Sequence, residues 1–102
     1  MARYLLLALN GPTDGDGDEA TYNDWYDRVH LPDLLALDGV SAARRFKRIR
    51  GNRADWPYVA AYEIETDDVD AVMKAMETDI RPFTPTFDRS KSAFVLAQEL
   101  EG

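Results

Sequence analysis

The chain lacks cysteine and has almost no histidine, and both absences exclude kinds of chemistry. Its 102 residues include no cysteine and one histidine, His30. Without thiols there is no disulfide framework, no thiolate nucleophile and no sulfur-ligated metal. A lone histidine cannot supply a histidine-rich zinc or haem site of the usual kind. We therefore expect a protein that works without a metal or a cofactor.

Long hydrophobic runs and an excess of positive charge are also missing. The longest aliphatic run, Leu5 to Leu9, is far shorter than the ~20 residues that a membrane-spanning helix requires. The formal net charge is −7 and the sequence pI is about 4.5, which argues against nucleic acids and anionic membrane surfaces as partners. No glycine-rich phosphate loop is present. We expect a cytoplasmic protein that binds neither nucleic acid nor membrane.

The order of the predicted elements indicates one domain over residues 1–102. Four apolar or alternating runs predict strands, at Ala2–Leu9, Val40–Arg50, Pro57–Ile64 and Ser92–Leu100. Two segments with helical periodicity predict helices, the first capped by Thr21 and the second opened by Asp67 or Asp68. The resulting β-α-β-β-α-β order is typical of the ferredoxin-like fold. In this α+β fold both helices cover one face of a four-stranded antiparallel sheet.

Several predicted strands are apolar on both faces, which has a consequence for assembly. Tyr4 to Leu9, Val59 to Tyr62 and Ala93 to Ala97 place apolar side chains on either side of the sheet. The helices cover only one side, and soluble monomers rarely expose an apolar patch of this size. We therefore expect a symmetric homodimer.

The first helix is predicted to break at Leu31-Pro32, because proline disfavours helical geometry in the residue before it. The break determines which acidic residue can orient the His30 ring. On a continuous helix Asp27 lies three residues before His30, whereas a break could turn Asp33 toward the ring. Asp24 is a third possibility, and the sequence leaves the choice open.

The region between residues 23 and 46 resembles a known family. It contains Trp25-Tyr26, then His30-Leu31-Pro32, a Gly39-Val40 turn and the segment Ala43-Arg44-Arg45-Phe46. This pattern resembles the EthD-like family of the dimeric α/β-barrel superfamily. It departs from the family at Asp38, where relatives often place proline before the glycine, and this changes the turn more than the site.

The resemblance implies a dimer whose two four-stranded sheets form one barrel, with ligands held between the helices and the sheet of each subunit. Relatives include cofactor-independent oxygenases, polyketide cyclases, lactone isomerases and dehydratase-like proteins, besides many without known activity. Carried over by position, His30 is the candidate acid/base residue. Trp25 and Tyr26 would form the pocket wall or pack beside it.

Two interpretations of His30 remain open from the residues themselves. Partial burial among Trp25, Tyr26 and Leu34 would make it a general acid or base at the edge of an apolar pocket. Alternatively, it is a structural histidine whose cationic form complements the end of a helix. Tyr26 is a better pocket candidate than Trp25, because it lies one helical turn before His30.

The strand that contains Arg44 and Arg45 places these two side chains on opposite faces. If Arg44 and Phe46 face the helices, Arg44 enters the cleft and can bind a carboxylate or an enolate oxygen. In the other register Arg45 does so. A salt bridge is the alternative role for either arginine, and the sequence does not fix the register.

Two further groups complete the candidate substrate-binding set. Phe83 and Phe87, in a loop with two prolines, could close over a hydrophobic ligand or cover the sheet edge of a partner subunit. Tyr62, like Tyr26, could donate a hydrogen bond to a developing enolate.

Together these residues favour a small cofactor-independent enzyme that acts on an apolar aromatic or polyketide-like carbonyl compound. The expected reaction is proton shuttling beside the carbonyl, as in isomerisation, cyclisation or elimination, with His30 moving the proton. Two alternatives are a non-catalytic homodimer that binds a hydrophobic small molecule and a cofactor-free monooxygenase.

Overall fold

The computed structural model describes residues 1–101 and contains one four-stranded antiparallel sheet. The strands are β1 (Ala2–Asn10), β2 (Val40–Lys47), β3 (Tyr58–Thr66) and β4 (Ala93–Gln98). Their order in the sheet is β2-β3-β1-β4, so the two strands that are first and third in the chain lie at the centre. This is the predicted ferredoxin-like architecture, and the structure confirms it.

Three α-helices and one wider helical turn lie in the connections from β1 to β2 and from β3 to β4. The first connection carries α1 (Asp18–Trp25), a π-helical turn (Tyr26–His30) and α2 (Leu31–Leu35). The second carries α3 (Val69–Thr78), which is capped by the Asp68 carboxylate accepting a hydrogen bond from the Ala71 amide. Among residues 1–101, no helix is both long and apolar enough to cross a membrane.

The first helix starts earlier than its sequence signal indicates. It begins at Asp18, directly after Gly17, which has a φ of 81° that glycine adopts at little cost. The prediction that Thr21 caps the helix is wrong, because Thr21 lies inside it and donates its hydroxyl proton to the Gly17 carbonyl.

The predicted break at Leu31-Pro32 is also wrong. Leu31 is helical, with φ −59° and ψ −48°, and its amide donates to the Tyr26 carbonyl five residues earlier. Pro32 lacks the N–H that would normally bond the carbonyl of Arg28, and its ring crowds that carbonyl. The wider π-helical turn accommodates the proline, so the helix continues. Such turns occur frequently at functional sites.

The strand pairing fixes which side chains face the helices. Ala43, Tyr62, Leu6 and Leu96 lie side by side across the sheet and face the helices. Two residues along, Arg45 pairs with Ala60 on the same face, so Arg44 lies on the opposite one.

The other face of the sheet is covered by no helix in the part of the chain described. It carries Leu5, Leu7 and Leu9 from β1 together with Phe46 and Val95 from the two edge strands. Phe46 is 49% exposed and Val95 is 52% exposed. This open face is the surface that the sequence assigns to a second copy of the chain.

Strand ends differ from the predictions by one to three residues. β2 ends at Lys47 and not at Arg50, and β4 covers Ala93–Gln98 and not Ser92–Leu100. After Lys47 the Arg48 side chain donates to the carbonyls of Asp55 and Trp56, which closes the turn to β3. These differences affect only the strand ends.

Candidate functional site

A cavity of about 500 Å³ lies between the helices and the sheet. This volume is in the range of small-molecule sites. The sheet, the helices and the loop before β4 all contribute lining side chains, among them Leu6, Ala8, Asn10, Tyr62, Tyr26, His30, Leu34, Met73, Met76, Glu77, Phe83, Phe87 and Arg89. Most of this lining is apolar, so the few polar groups determine what chemistry the cavity can support.

His30 forms part of the cavity wall and is only 6% exposed. Its ring stacks on Trp25, with centroids 4.6 Å apart and planes 22° apart. Tyr26 and Phe83 contact it edge to face, at 5.0 and 4.8 Å between centroids. The Nδ1 atom is fully enclosed and has no hydrogen-bond partner in residues 1–101. Nε2 is therefore the nitrogen that can meet a ligand.

The buried imidazole is neutral at physiological pH. The pKa of His30 is lowered to about 4, mainly by burial; the negative charge of Asp33 raises it, and the positive charge of nearby Arg45 lowers it. A cationic histidine at a helix end, the second interpretation above, is therefore not the arrangement found.

None of the three candidate carboxylates orients the His30 ring. Asp27 pairs with Arg45 at 3.0 Å, and Asp24 pairs with Arg28 at 2.7 Å. Asp33 pairs with Arg81, with the shorter of its contacts at 2.7 Å. The aromatic rings around His30 hold it in place.

Tyr26 and Tyr62 line the cavity, and their hydroxyls share a hydrogen-bond network with Asn10. The Asn10 amide donates to the Tyr26 hydroxyl at 3.2 Å, and the Tyr62 hydroxyl donates to the same oxygen at 3.4 Å. The Tyr22 hydroxyl donates to the Asn10 carbonyl oxygen. The Tyr26 oxygen thus accepts twice, while its own proton has no acceptor among residues 1–101. That proton is available to a ligand.

These hydroxyls stay protonated at neutral pH. Burial is the largest cause and raises the pKa of Tyr22, Tyr26 and Tyr62. The positive charge of Arg45 lowers all three but does not outweigh burial. Each hydroxyl is therefore a hydrogen-bond donor and not an anion.

Arg45 faces the helices, but it lies behind the cavity wall and not in the cavity. Its guanidinium carbon is 4.3 Å from the Tyr26 ring centroid, and Tyr22 and Tyr58 lie slightly farther away. It pairs with Asp27 and donates to the Asn23 side-chain oxygen at 2.8 Å. The expected contact of Arg45 with substrate is therefore replaced by contact with the back of Tyr26.

The structure divides the sequence candidates into three groups. His30, Tyr26, Tyr62, Phe83 and Phe87 line the cavity together. Trp25 and Arg45 pack directly behind that wall.

Arg44 and Phe46 lie on the open face, which corrects their placement beside the cleft. Arg44 forms an exposed ion pair with Glu63 at 3.5 Å. It also borders a separate concavity of about 560 Å³, which does not include His30. The strand register is the cause, since adjacent side chains point to opposite faces.

Asn10, Met73, Met76 and Arg89 are cavity residues that sequence reasoning did not identify. A signal for Asn10 exists: it follows Leu6 and Ala8 at a spacing of two, and it therefore belongs to the helix-facing side of β1. No group of three or more His, Cys, Asp or Glu side chains among residues 1–101 could hold a metal ion.

Comparison of the sequence with known proteins gives one informative relative. No family model matches the chain. A stretch of 61 residues is 39% identical to core atranone cluster (CAC) protein 1 of Stachybotrys chlorohalonatus. The match covers 60% of this chain and 26% of that protein, so the chain spans about a quarter of its relative's length.

Solved structures with the same fold cover nearly the whole chain. A DABB family protein of Mesorhizobium loti has a TM-score of 0.68 at 11% identity, covering 99% of this chain and 100% of its own. An EthD family protein of Bacillus halodurans scores 0.54 at 13% identity, covering 98% and 100%. A dimeric ferredoxin-like protein of Thermobifida fusca scores 0.54 at 10% identity, covering 96% and 92%.

These similarities confirm the predicted resemblance at the level of the fold. The chain has the ferredoxin-like fold that DABB and EthD family proteins share.

Proposed function

We propose that this protein is a small enzyme that moves a proton beside the carbonyl group of an apolar aromatic or polyketide-like compound, without a cofactor. One observation carries the proposal. The only histidine forms part of an apolar cavity wall in its neutral form, next to a tyrosine hydroxyl whose proton has no acceptor in residues 1–101. A proton acceptor and a hydrogen-bond donor thus line one mostly apolar cavity, an arrangement that suits enolate chemistry.

The proposed roles follow from the two polar groups that can bond a ligand, which are Nε2 of His30 and the hydroxyl proton of Tyr26. Nε2 of His30 takes a proton from the carbon next to the carbonyl, and the electrons of that C–H bond move onto the carbonyl oxygen. Tyr26 donates a hydrogen bond to the resulting enolate oxygen and keeps its proton, and Tyr62 and Asn10 hold Tyr26 in position. Return of the proton to another carbon isomerises the compound. Loss of a leaving group completes an elimination, and attack of the enolate on a second carbonyl closes a ring.

The low pKa of His30 fits this role once a ligand is bound. In the empty cavity a base of pKa about 4 is weak. Negative charge that develops on a substrate oxygen stabilises the imidazolium, and this attraction is strong where water is excluded. The imidazole is therefore a stronger base in the transition state, where that negative charge develops, than in the empty cavity.

Two further observations support the proposal. The sequence relative is named for a secondary-metabolite cluster, which favours a small-molecule ligand. The apolar open face of the sheet, together with a dimeric structural neighbour, favours a homodimer. The dimer would cover the open face and leave the cavity on the helix side of each subunit.

Proton transfer is tested by hydrogen–deuterium exchange at carbons next to the carbonyls of a panel of aromatic and polyketide-like ketones in D2O, followed by NMR. Wild type is expected to catalyse exchange, and His30→Gln is expected to lose at least about 100-fold of the rate. Tyr26→Phe should lose roughly 10- to 100-fold, because the enolate loses its donor.

Tyr58→Phe is the matched control. Tyr58 is a buried tyrosine whose hydroxyl is hydrogen-bonded to Glu19, outside the cavity, so its variant should keep the wild-type rate. Ketones that bind to wild type without any exchange would identify a binding protein and reject the enzyme. Light scattering on the same samples should give twice the 11.5 kDa chain mass.

A further inference from the structure

The mouth of the cavity carries one arginine, Arg89. It is the first residue of the 3-10 turn Arg89–Lys91, and its guanidinium carbon lies 4.8 Å from the centroid of the Phe83 ring. Among the lining residues it alone has a permanent positive charge. Arg89 is absent from every ion pair formed within residues 1–101. Its neighbour Asp88 instead accepts hydrogen bonds from the Ser90 amide and hydroxyl.

Arg89 and His30 both contact one ring. Phe83 lies 4.8 Å from the His30 ring and 4.8 Å from the Arg89 guanidinium carbon. The guanidinium is therefore at most about 10 Å from the imidazole. A flat molecule of up to three fused rings can span a separation within this limit, and a cavity of about 500 Å³ can hold it.

The charges of the other lining groups determine whether a charged or a neutral ligand group would be favoured beside Arg89. His30 is neutral and the cavity tyrosines are protonated. Glu77 is the acidic lining residue, and it forms no ion pair with Arg89 in the structure. An anionic ligand group at the mouth would therefore be attracted by Arg89 and repelled by Glu77. The repulsion falls with the distance between that group and Glu77.

We infer that the ligand is an apolar carbonyl compound with a carboxylate at the end remote from the reacting carbonyl, and that Arg89 binds this carboxylate. The planar guanidinium offers two parallel N–H donors to a carboxylate. Its position over Phe83 limits the conformations that must be lost on binding. This inference rests on the proposed function only for the position of the reacting carbonyl beside His30.

Equilibrium binding tests the inference without requiring turnover. The probes are anthraquinone-2-carboxylate and anthraquinone-2-carboxamide, which share their rings and carbonyls and differ in charge. By calorimetry at low ionic strength, wild type should bind the carboxylate about tenfold more tightly than the amide. Arg89→Gln should weaken carboxylate binding about tenfold and leave amide binding unchanged. Glu77→Gln should strengthen carboxylate binding severalfold.

Lys91→Gln is the matched control, because Lys91 has the same charge in the same turn but does not line the cavity. Its variant should keep the wild-type preference. Equal affinity of wild type for both probes would overturn the anionic class while leaving the apolar cavity and the proposed function intact. If Lys91→Gln lost the preference for the carboxylate probe as much as Arg89→Gln, the preference would come from general surface charge. That result would overturn the role of Arg89. Failure of both probes to bind would contradict the ligand cavity, and with it both proposals.

Discussion

Arg45 and His30 are two basic side chains buried beside Tyr26, but only Arg45 has polar partners for a positive charge. The Arg45 side chain is only 12% exposed, and its Nε has no hydrogen-bond partner in residues 1–101, but its terminal nitrogens bond Asp27 and Asn23 and its charge lies over three tyrosine rings. His30 is similarly buried, has aromatic neighbours around its ring, and has no hydrogen-bond partner for Nδ1 in residues 1–101. The guanidinium of Arg45 thus has partners for its charge, whereas burial lowers the pKa of His30 and favours the neutral imidazole.

The two residues differ in whether their neighbours provide partners for a positive charge. A buried charge with its partners in place is a structural element, because every neighbour already has a fixed role. A buried titratable group without partners costs stability, and it borders the space that a ligand can fill. Arg45 therefore packs as a structural element behind the cavity wall, and His30 is the basic group that lines the cavity.

Removing the Arg45 charge should produce the largest effect on stability. Arg45→Met keeps much of the apolar stem but removes the cation from three rings and from Asp27. The free energy of unfolding is expected to fall by about 2–4 kcal/mol in urea denaturation. Arg28→Met is the control: its ion pair with Asp24 is exposed, and it should lose less than about 1 kcal/mol. Equal losses in the two variants would remove the structural role of Arg45.

Acid should destabilise the protein through His30, by the next largest amount. The folded pKa of about 4 lies below the unfolded value of 6.5, so the stabilising difference is complete above pH 6.5 and is lost as pH falls toward 4. The loss should be on the order of 2–3 kcal/mol, measured by urea denaturation at fixed protein concentration.

His30→Gln cannot titrate and should show a flat profile in this window. Arg81 lowers the pKa of the Asp33 carboxyl, so the contribution of Asp33 to stability is lost only as the pH falls below its usual pKa of 3.8. That loss therefore occurs at lower pH than the loss caused by His30. A wild-type profile that is flat from pH 7 to 4 would contradict the buried neutral histidine.

The smallest effect is expected from Asp33→Asn. Its ion pair with Arg81 joins α2 to the loop that carries Phe83, and its loss should cost about 1 kcal/mol. Because the charge of Asp33 raises the pKa of His30, the variant should titrate His30 at a still lower pH by NMR. Asp24→Asn changes an exposed carboxylate that pairs with Arg28, and it should leave the His30 titration in place.

The element order was predictable because each signal is local and periodic. Alternation and apolar runs set the strands, and the helical repeat of Tyr22, Trp25 and Tyr26 set the first helix. Helix ends were less accurate: the Thr21 capping signal was overridden by Gly17, and the effect of Pro32 was absorbed by one wider turn. These outcomes depend on packing against the sheet, which a local pattern does not contain.

The candidate site was predictable in part, for the same reason. His30 was identified as the only histidine and through the resemblance of residues 23–46, and Tyr26 because it lies one helical turn earlier; both line the cavity. The choice between Arg44 and Arg45 needed the register of β2 against β3, which shifts at an irregularity between Val40 and Ala42. Asn10 and Arg89 come from distant parts of the chain, and only the tertiary structure brings them to the same cavity.

The stacking of His30 on Trp25 gives the protein an optical signal of its own. The two rings lie 4.6 Å apart, so a change in the charge or solvation of the imidazole alters the surroundings of that indole. The second tryptophan, Trp56, belongs to the loop before β3 and supplies a constant background. Fluorescence of the unlabelled protein can therefore report when the cavity is filled, whether or not the ligand reacts, for compounds that do not absorb where tryptophan absorbs or emits.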